Sequence, residues 1–555
     1  MNRTLKRLVA LFLGLCLAAH PCSSQNPRKQ DSDLPVLRVS TRLVQVKVIV
    51  QDRKGQPATG LTQDDFLLLE DGKPQPIAMF SMEEDRTTAA AGTPFPPDTY
   101  SNRIERRAGA RNSVTVILLD AINTRFADSV YAKNQVVKFL SQLQSQDRVA
   151  LYALVAGSVR IIHDFTSDAS GLLRMLDRFK ATGDFIDRTQ TGAVPETGIA
   201  DLDEWLREAS QRMDNFYTNS RVLETTSALE VIANHLARLP GRKNLIWVSG
   251  SFPLTIGEDA LPTRYSLSPE RRTYWREVER AARAVSDANM AIYPVDARGL
   301  IGAFGPNPGS FNPRPILGRQ INPFPGAPLS AFDSMQVLAQ RTGGRAFYNS
   351  NDIQGAIREA IDDSRVTYVL GYYPSHGKWD GKFHQIKVKL KTKGNKVRHR
   401  TGYFAHEDAP KDETTRKDLV LVAARSPLDA TTLGVVVRVE QLPADGKRRV
   451  KLILAVDRRE ITLNEQDRRW VGTLDLLFSQ RSPEGLGLFG EHQTLQMNLT
   501  QESYEQLIRE GITLTRHLHL TPGATQLRVV VRDVPSGAIG SVSIPLPAEP
   551  SQGTR

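Results

Sequence analysis

Apolar runs without polar alternation recur through the middle of the chain, and they constrain its fold more than any other feature. The first is VTVILLD at 114–120, and further runs occur at 148–155, 244–250 and 290–297. Such runs are typical of strands that are buried on both faces, as in parallel sheets. Segments with the apolar spacing of amphipathic helices separate them. Residues 112–365 are therefore predicted to form an α/β domain with a doubly wound, mainly parallel sheet.

The loops that follow these strands are expected to meet along one edge of the sheet. Right-handed crossovers place the strand ends on the same side, and ligands of such sheets bind at that carboxyl edge. The edge would include the loops after Leu119, Val155, Val248 and Val295. A Gly-, Pro- and Asn-rich segment at 298–328 is too long for a simple connection, so we expect it to contribute to binding there.

Period-two alternation on either side of the α/β segment predicts β-rich modules. Residues 35–82 are predicted to form an N-terminal β module in which Asp71-Gly72 marks a hairpin corner, and 83–111 to be a linker. Residues 366–405 are expected to extend the central domain as an antiparallel hairpin. A second linker at 406–417 then precedes an Ig-like β-sandwich at 418–548, indicated by seven short, regularly spaced strands.

The N-terminus has the three parts of a secretory signal peptide. A basic start, MNRTLKR, precedes the apolar run LVALFLGLCLAA and a small-residue exit. Residues 1–24 are therefore predicted to be a signal peptide that directs the chain to the periplasm, the cell envelope or the outside. An uncleaved anchor and a lipoprotein are the alternatives. Both cysteines, Cys16 and Cys22, lie in or beside this peptide, which leaves the mature chain without a disulfide framework.

Charge and hydropathy argue against a nucleic-acid partner and against a transmembrane helix in the mature chain. The net charge is +11, but the basic residues are scattered apart from a stretch at 387–400. That stretch alternates like a solvated strand pair and has no aromatic platform, so we expect no nucleic-acid partner. No segment after the signal peptide is long and apolar enough to predict a transmembrane helix in the mature chain.

Several short motifs, taken in order, resemble those of a known family. The motifs are GLTQDDFLLLEDGKPQPI, VILLDAINT, LPGRKNLIWVSGSFP, AIYPVDARGL, YVLGYYP, GYFA and LRVVVRDVPSGAIGSVSIPL. Between residues 36 and 547 the chain resembles the secreted bacterial VWFA-related proteins common in Acidobacteria, which contain a von Willebrand factor A-like (vWA) domain. The resemblance implies a Rossmann-like vWA fold and a binding role, and it implies no reaction.

The resemblance also implies a divalent-cation site at the carboxyl edge of the sheet. In vWA domains the first loop carries Asp-x-Ser-x-Ser, a second loop supplies Thr and a third supplies Asp. By this comparison Asp120 and Thr124 are candidate ligands of Mg²⁺, which prefers hard oxygen ligands. Ile122 stands where the first serine would be, and its side chain cannot coordinate a metal.

The other two loops match this pattern only in part. Thr225 is the candidate ligand from the second loop, with Thr226 as the neighbouring alternative. Ser249 stands where the third-loop aspartate would be, and Asp296, at another strand end, is a candidate substitute. One interpretation is therefore a degenerate site in which Mg²⁺ is the only cofactor.

A structural turn is the other interpretation of the first loop. Asp120, Asn123 and Thr124 are residue types that cap a following helix or close a turn. The two interpretations differ in whether the Asp120 carboxylate faces a cation or backbone N–H groups.

No nucleotide-binding or catalytic motif accompanies the α/β pattern. The segment AINTRF after the first strand has neither a dinucleotide fingerprint nor a Walker pattern, and the chain has no H-E-x-x-H or G-x-S-x-G. Ser249-Gly250-Ser251 follows a strand and is expected to be a tight turn. Four histidines are widely separated and show no ligand spacing, namely His163, His235, His376 and His384.

These features together predict an exported, non-catalytic module that binds a protein partner at the carboxyl edge of its central sheet. Two alternatives remain open at this stage. One is a secreted hydrolase with an unrecognised active site, and the other is a purely structural envelope protein.

Overall fold

The computed structural model describes most of the chain between residues 43 and 546. The described segments are 43–84, 96–103, 113–156, 158–179, 197–239, 241–250, 255–256, 272–299, 331–363, 365–376, 379–392, 394–405, 413–441, 448–483 and 487–546. The predicted signal peptide and residues 300–328 of the predicted edge loop lie outside them. In the described part of the chain, no helix has both the length and the apolar character needed to cross a bilayer.

Strands dominate both ends of the described chain, and helices dominate its middle. The first segment contains β1 Val44–Gln51, β2 Phe66–Glu70, β3 Lys73–Pro74, β4 Met79–Glu84 and β5 Thr99–Ser101. The middle contains β6 Ser113–Asp120, α1 Phe126–Leu140, β7 Val149–Val155, β8 Ser158–Thr166, α2 Ala169–Arg178, α3 Ala200–Leu236, β9 Arg242–Ser249, β10 Thr255–Ile256, β11 Arg272–Thr273, α4 Trp275–Asp287, β12 Met290–Asp296, α5 Ala331–Thr342 and α6 Ile353–Asp362. The last part contains β13 Val366–Tyr372, β14 Phe383–Leu390, β15 Lys396–His399, β16 Gly402–Phe404, α7 Glu413–Arg425, β17 Val435–Gln441, β18 Arg449–Val456, β19 Asn464–Gln466, β20 Arg469–Arg481, β21 Gly487–Leu499, α8 Gln501–Glu510, β22 Ile512–His519, β23 Gln526–Asp533 and β24 Ile539–Pro545.

The central sheet is a mixed five-stranded sheet with the order β12-β9-β6-β7-β8. The first four strands run parallel, as their unbroken apolar runs predict, and β8 returns antiparallel to β7. Every residue of β6, β7, β9 and β12 is buried, which is why these segments show no polar alternation.

Helices cover this sheet from two sides. Val116 and Leu118 of β6 belong to a hydrophobic cluster that includes residues of α3, α4 and α5. The intervening Ile117 and Leu119 belong to a second cluster with α1, α2 and α6. Because successive side chains of a strand point to opposite faces, the two helix groups lie on opposite faces of the sheet.

The two β segments that flank the α/β segment form one pair of sheets. One sheet has the order β15-β1-β13-β4 and the other β16-β14-β2-β3. Val46 pairs with Leu370, and the side chains of both sheets share one hydrophobic cluster. The sequence predicts a separate N-terminal module at 35–82 and a hairpin at 366–405, because period-two alternation shows which face is buried but not which strand is the partner.

Parts of both predicted linkers pack on the C-terminal strands. β5, inside the 83–111 linker, pairs with β17. The side chain of Asn102 donates to the carbonyl oxygens of Ala430 at 2.7 Å and Leu433 at 2.8 Å, and accepts from the Val435 amide at 2.9 Å. Helix α7 begins inside the 406–417 linker and buries Val420 against β20 and β23 residues.

Two antiparallel sheets make up the C-terminal part. One has the order β22-β18-β17-β5, and the other contains β19-β20-β23-β24 with β21 paired to β20. Side chains from both sheets, among them Val437, Leu454, Leu476 and Val529, form one hydrophobic cluster. The short-strand pattern of this region is therefore confirmed as antiparallel β structure.

Because the two flanking β segments share one hydrophobic cluster, a core substitution in one segment should destabilise the other as well. Leu370→Ala, at a fully buried position of β13, should lower the free energy of unfolding by about 2–5 kcal/mol. Hydrogen exchange should then accelerate in 44–51 as well as in 366–372. Leu488→Ala is the control, because Leu488 is 41% exposed and surface substitutions change stability by only about 0.5 kcal/mol. Faster exchange confined to 366–372 would show that the segments are independent.

Candidate functional site

The candidate site is built around Asp120, the last residue of β6. Its position at the carboxyl edge of the sheet follows from the strand order, because β6 lies between β9 and β7 and runs parallel to both. The side chain is not on the surface, since the residue is only 3% exposed. A carboxylate buried to this extent requires hydrogen-bond donors or a cation.

Five protein donors surround the Asp120 carboxylate. The Oδ1 atom accepts from the backbone amides of Ile122 at 3.1 Å and Asn123 at 3.0 Å. The Oδ2 atom accepts from Asn123 Nδ2 at 2.8 Å, the Trp247 indole Nε1 at 3.0 Å and the Ser249 hydroxyl at 2.8 Å. Both oxygens are therefore occupied by groups of β9 and of the loop after β6.

The amide of Asn123 connects Asp120 to helix α3. Its Nδ2 atom donates to Asp120 Oδ2 at 2.8 Å and to Thr225 Oγ1 at 2.7 Å. The amide nitrogen thus bridges two oxygens that the sequence identifies as candidate metal ligands. Thr226 takes no part, because its hydroxyl donates to the Val222 carbonyl oxygen at 2.9 Å within the helix.

The other candidate ligands also have protein partners. Thr124 Oγ1 accepts from the Gly250 amide at 3.0 Å, which joins the loop after β6 to the end of β9. Gly250 is required there, since an added Cβ would lie 2.5 Å from the Asn123 carbonyl oxygen. Asp296 forms a two-point ion pair with Arg298, at 2.9 and 3.0 Å.

The charge of Asp120 acts on a half-buried cationic side chain, that of Arg221. Burial lowers the pKa of Arg221, a residue of α3, and the negative charge of Asp120 opposes that shift. Burial raises the pKa of Asp120, while its hydrogen bonds to Asn123, Ser249 and Trp247 oppose the rise. The neighbouring protein groups thus offset part of the effect of burial on this carboxyl group.

The residues around Asp120 do not fit a magnesium ion. Mg²⁺ demands near-octahedral oxygen ligands, whereas the Trp247 N–H and the Asn123 amide N–H point donors at the carboxylate. The geometry matches a structural turn closed by Asp120. It differs from the predicted helix cap in one respect, because α1 begins after Arg125, which makes no side-chain cap.

An apolar cavity lies beside this network at the same edge. Its volume is about 370 Å³, and its walls include Leu119, Ala121, Val248 and Phe179. Lys133 donates to the Phe179 carbonyl oxygen at 3.0 Å and so holds one wall in place. Its lining also includes two large apolar side chains from the first turns of α1 that are exposed, Phe126 by 50% and Val130 by 45%.

Sequence reasoning identified Asp120 and Thr225 but missed what joins them. Trp247 is in a segment recognised only as a buried strand, and nothing in a period-two pattern indicates that its indole N–H reaches a carboxylate of another strand. The Asn123–Thr225 contact joins residues 102 positions apart. The one indication of this network in the sequence was Asn123, which lies three residues after the aspartate that ends β6.

No family model and no curated protein matches this sequence. Solved structures similar to it include an aerotolerance-related membrane protein from Bacteroides fragilis, with 17% identity over 45% of this chain and 98% of that chain, at a TM-score of 0.24. The vWA domain of SpRpn10 is 13% identical over 45% of this chain and 93% of that chain, at a TM-score of 0.21. The pilus adhesin SpaC from Lactobacillus rhamnosus GG is 7% identical over 84% of this chain and 57% of that chain, at a TM-score of 0.24. At these TM-scores the likenesses carry no inference about function.

Because protein donors occupy both oxygens of Asp120, we predict that Mg²⁺ and Mn²⁺ do not stabilise the native chain by binding there. A site with a dissociation constant one-hundredth of the metal concentration would add about 2.7 kcal/mol. We expect no rise in Tm in millimolar Mg²⁺ or Mn²⁺, measured by thermal unfolding. A rise that Asp120→Asn removes would contradict this account.

Asp120→Asn should itself destabilise the chain with or without metal. The amide of asparagine would turn an N–H group towards existing donors, and each buried donor left without an acceptor costs about 1–3 kcal/mol. Asp168→Asn is the matched control, because Asp168 caps α2 through its side chain and asparagine caps a helix equally well. Equal unfolding free energies for the two variants would contradict the network.

Proposed function

We propose that this chain is an exported, non-catalytic protein-binding module that recognises its partner at the carboxyl edge of the central sheet, without a cation. The observation that carries the proposal is the apolar cavity beside the Asp120 network, bordered by the exposed Phe126 and Val130. Large exposed apolar side chains around a cavity are typical of protein interaction sites.

We assign the α/β segment to the vWA-like folds, with a doubly wound sheet. The strand order, the parallel pairing of β12, β9, β6 and β7, and the helices on both faces support this assignment. The two C-terminal sheets with a shared core support an Ig-like sandwich. The site at Asp120 is then a degenerate metal site in which hydrogen bonds replace the cation.

Phe126 and Val130, here called the apolar rim, account for how a partner would bind without that cation. Phe126 and Val130 are four residues apart and therefore lie on one face of α1. An aliphatic or aromatic side chain of the partner would enter the cavity between them and the β6 end. Such buried apolar anchors contribute most of the binding energy in protein interfaces.

The location and the absence of catalysis are parts of the same proposal. The basic and apolar N-terminal sequence supports export. Ser249, which follows a strand as nucleophilic serines can, is fully buried and donates its hydroxyl proton to Asp120. A fully buried hydroxyl cannot reach a substrate, which favours binding over hydrolysis at this edge.

Two variants test the apolar rim directly. Phe126→Ser and Val130→Asp should abolish capture of the partner from the native envelope, because each removes apolar surface from the lining of the cavity. Phe489→Ser is the matched control, since Phe489 is 52% exposed but lies on β21. The captured set should be the same with and without chelator.

A photoreactive phenylalanine analogue placed at position 126 or 489 identifies the point of contact. The adduct with the partner should form from position 126 only. Capture that survives both rim variants, or that chelator removes, would contradict the proposal.

A further inference from the structure

A second cluster of chemically active side chains lies outside the α/β segment. Glu70 ends β2, His384 lies in β14, and His376 follows β13. One potential ligand atom from each of the three residues lies within 4.8 Å of the others. The pairing of Ile386 with Glu70 brings these elements together, although Glu70 precedes both histidines by about 300 positions.

His384 is held by a carboxylate on its outer side. Its Nδ1 atom lies 2.8 Å from Asp71 Oδ2, and Asp71 Oδ1 accepts from the Gln385 amide at 2.8 Å. Histidines that bind metal ions usually donate their second ring N–H to a carboxylate, which orients the ring and strengthens the ligand. Nε2 is then the metal-binding atom of His384.

Glu70 is held in place by two tyrosines. Its Oε1 atom accepts from the hydroxyls of Tyr372 at 2.9 Å and Tyr403 at 2.7 Å. Ligating carboxylates are commonly fixed by such hydrogen bonds.

His376 completes the cluster. Its Nε2 atom lies 2.8 Å from the Tyr403 hydroxyl and 3.9 Å from Glu70 Oε1. The side chains of His376, His384 and Glu70 are 18%, 14% and 3% exposed, so an ion from solvent can reach a site that is otherwise enclosed.

We propose that Glu70, His376 and His384 form a Zn²⁺ site. Two imidazole nitrogens and one carboxylate oxygen are a ligand set that zinc takes readily, with water in the fourth position. Nitrogen ligands also select zinc over Mg²⁺, which prefers oxygen. This site is separate from the carboxyl edge and does not depend on the proposed protein binding.

Binding requires a local rearrangement of the two imidazole rings. The rings are stacked, with centroids 3.9 Å apart and planes 8° from parallel. An imidazole coordinates an ion in the ring plane, so one ring has to turn. Zn–N bonds of about 2.0–2.1 Å place tetrahedral ligands about 3.3 Å apart, so atoms that lie within 4.8 Å of one another have to move by at most about 1.5 Å.

Calorimetric titration of the full, chelator-treated chain with ZnCl₂ tests the site. We expect one equivalent of Zn²⁺ to bind and to raise Tm, and excess Mg²⁺ not to compete. His376→Gln and His384→Gln should each abolish binding. His492→Gln, at an exposed position of β21, is the control and should bind as the native chain does.

Asp71→Asn separates a positioning role from a merely structural one. Asp71 has a φ of 48°, in the left-handed region that asparagine tolerates, so this variant should fold as the native chain does. Loss of such an outer partner should weaken Zn²⁺ binding about 10–100-fold. If one glutamine variant does not fold, the other and Asp71→Asn decide the test.

Two outcomes overturn the site. One is the absence of Zn²⁺ binding by the native chain. The other is binding by the folded glutamine variants with native affinity and stoichiometry. Both outcomes leave capture at the carboxyl edge unchanged, so failure of this site and failure of the proposed function are distinguishable.

Discussion

A carboxylate buried at the end of a strand has to be compensated, and the carboxyl edge of the sheet depends on how this chain compensates Asp120. Five hydrogen bonds oppose the effect of burial, and they come from the following loop and from Trp247 and Ser249 of β9. Asn123 extends the network to Thr225 on α3. A cation would compete with donors already in place, so the loop is fixed by the protein itself.

Because protein donors occupy both oxygens of Asp120, this edge would recognise a different kind of group from a metal-containing edge. A cation in a vWA domain attracts an anionic group of the partner, whereas the network around Asp120 leaves no electrophile. The accessible features are apolar instead, namely the cavity lined by Leu119 and Phe179 and the exposed Phe126 and Val130. These features favour the proposed recognition by shape and apolar contact at this edge, and the proposed Zn²⁺ site lies in the flanking β-sheets.

Local sequence patterns predicted which segments form strands better than they predicted which strands pair. The unbroken apolar runs gave the buried strands of the central sheet, and Asp71-Gly72 forms the predicted hairpin corner, with both residues at positive φ. The pairing of 44–51 with 366–372 and the meeting of Glu70 with His376 and His384 were not predicted. Alternation records burial of a face, whereas partner choice depends on contacts between residues hundreds of positions apart.

Anomalous diffraction from crystals of the full chain grown with MnCl₂ tests the central claim most directly. Mn²⁺ takes the same oxygen ligands as Mg²⁺ and is located by its own scattering. The account predicts no manganese within bonding distance of Asp120 and an Asn123 amide that bridges Asp120 and Thr225. A manganese ion bound to Asp120, Thr124 and Thr225, with the Asn123 amide displaced, would contradict it.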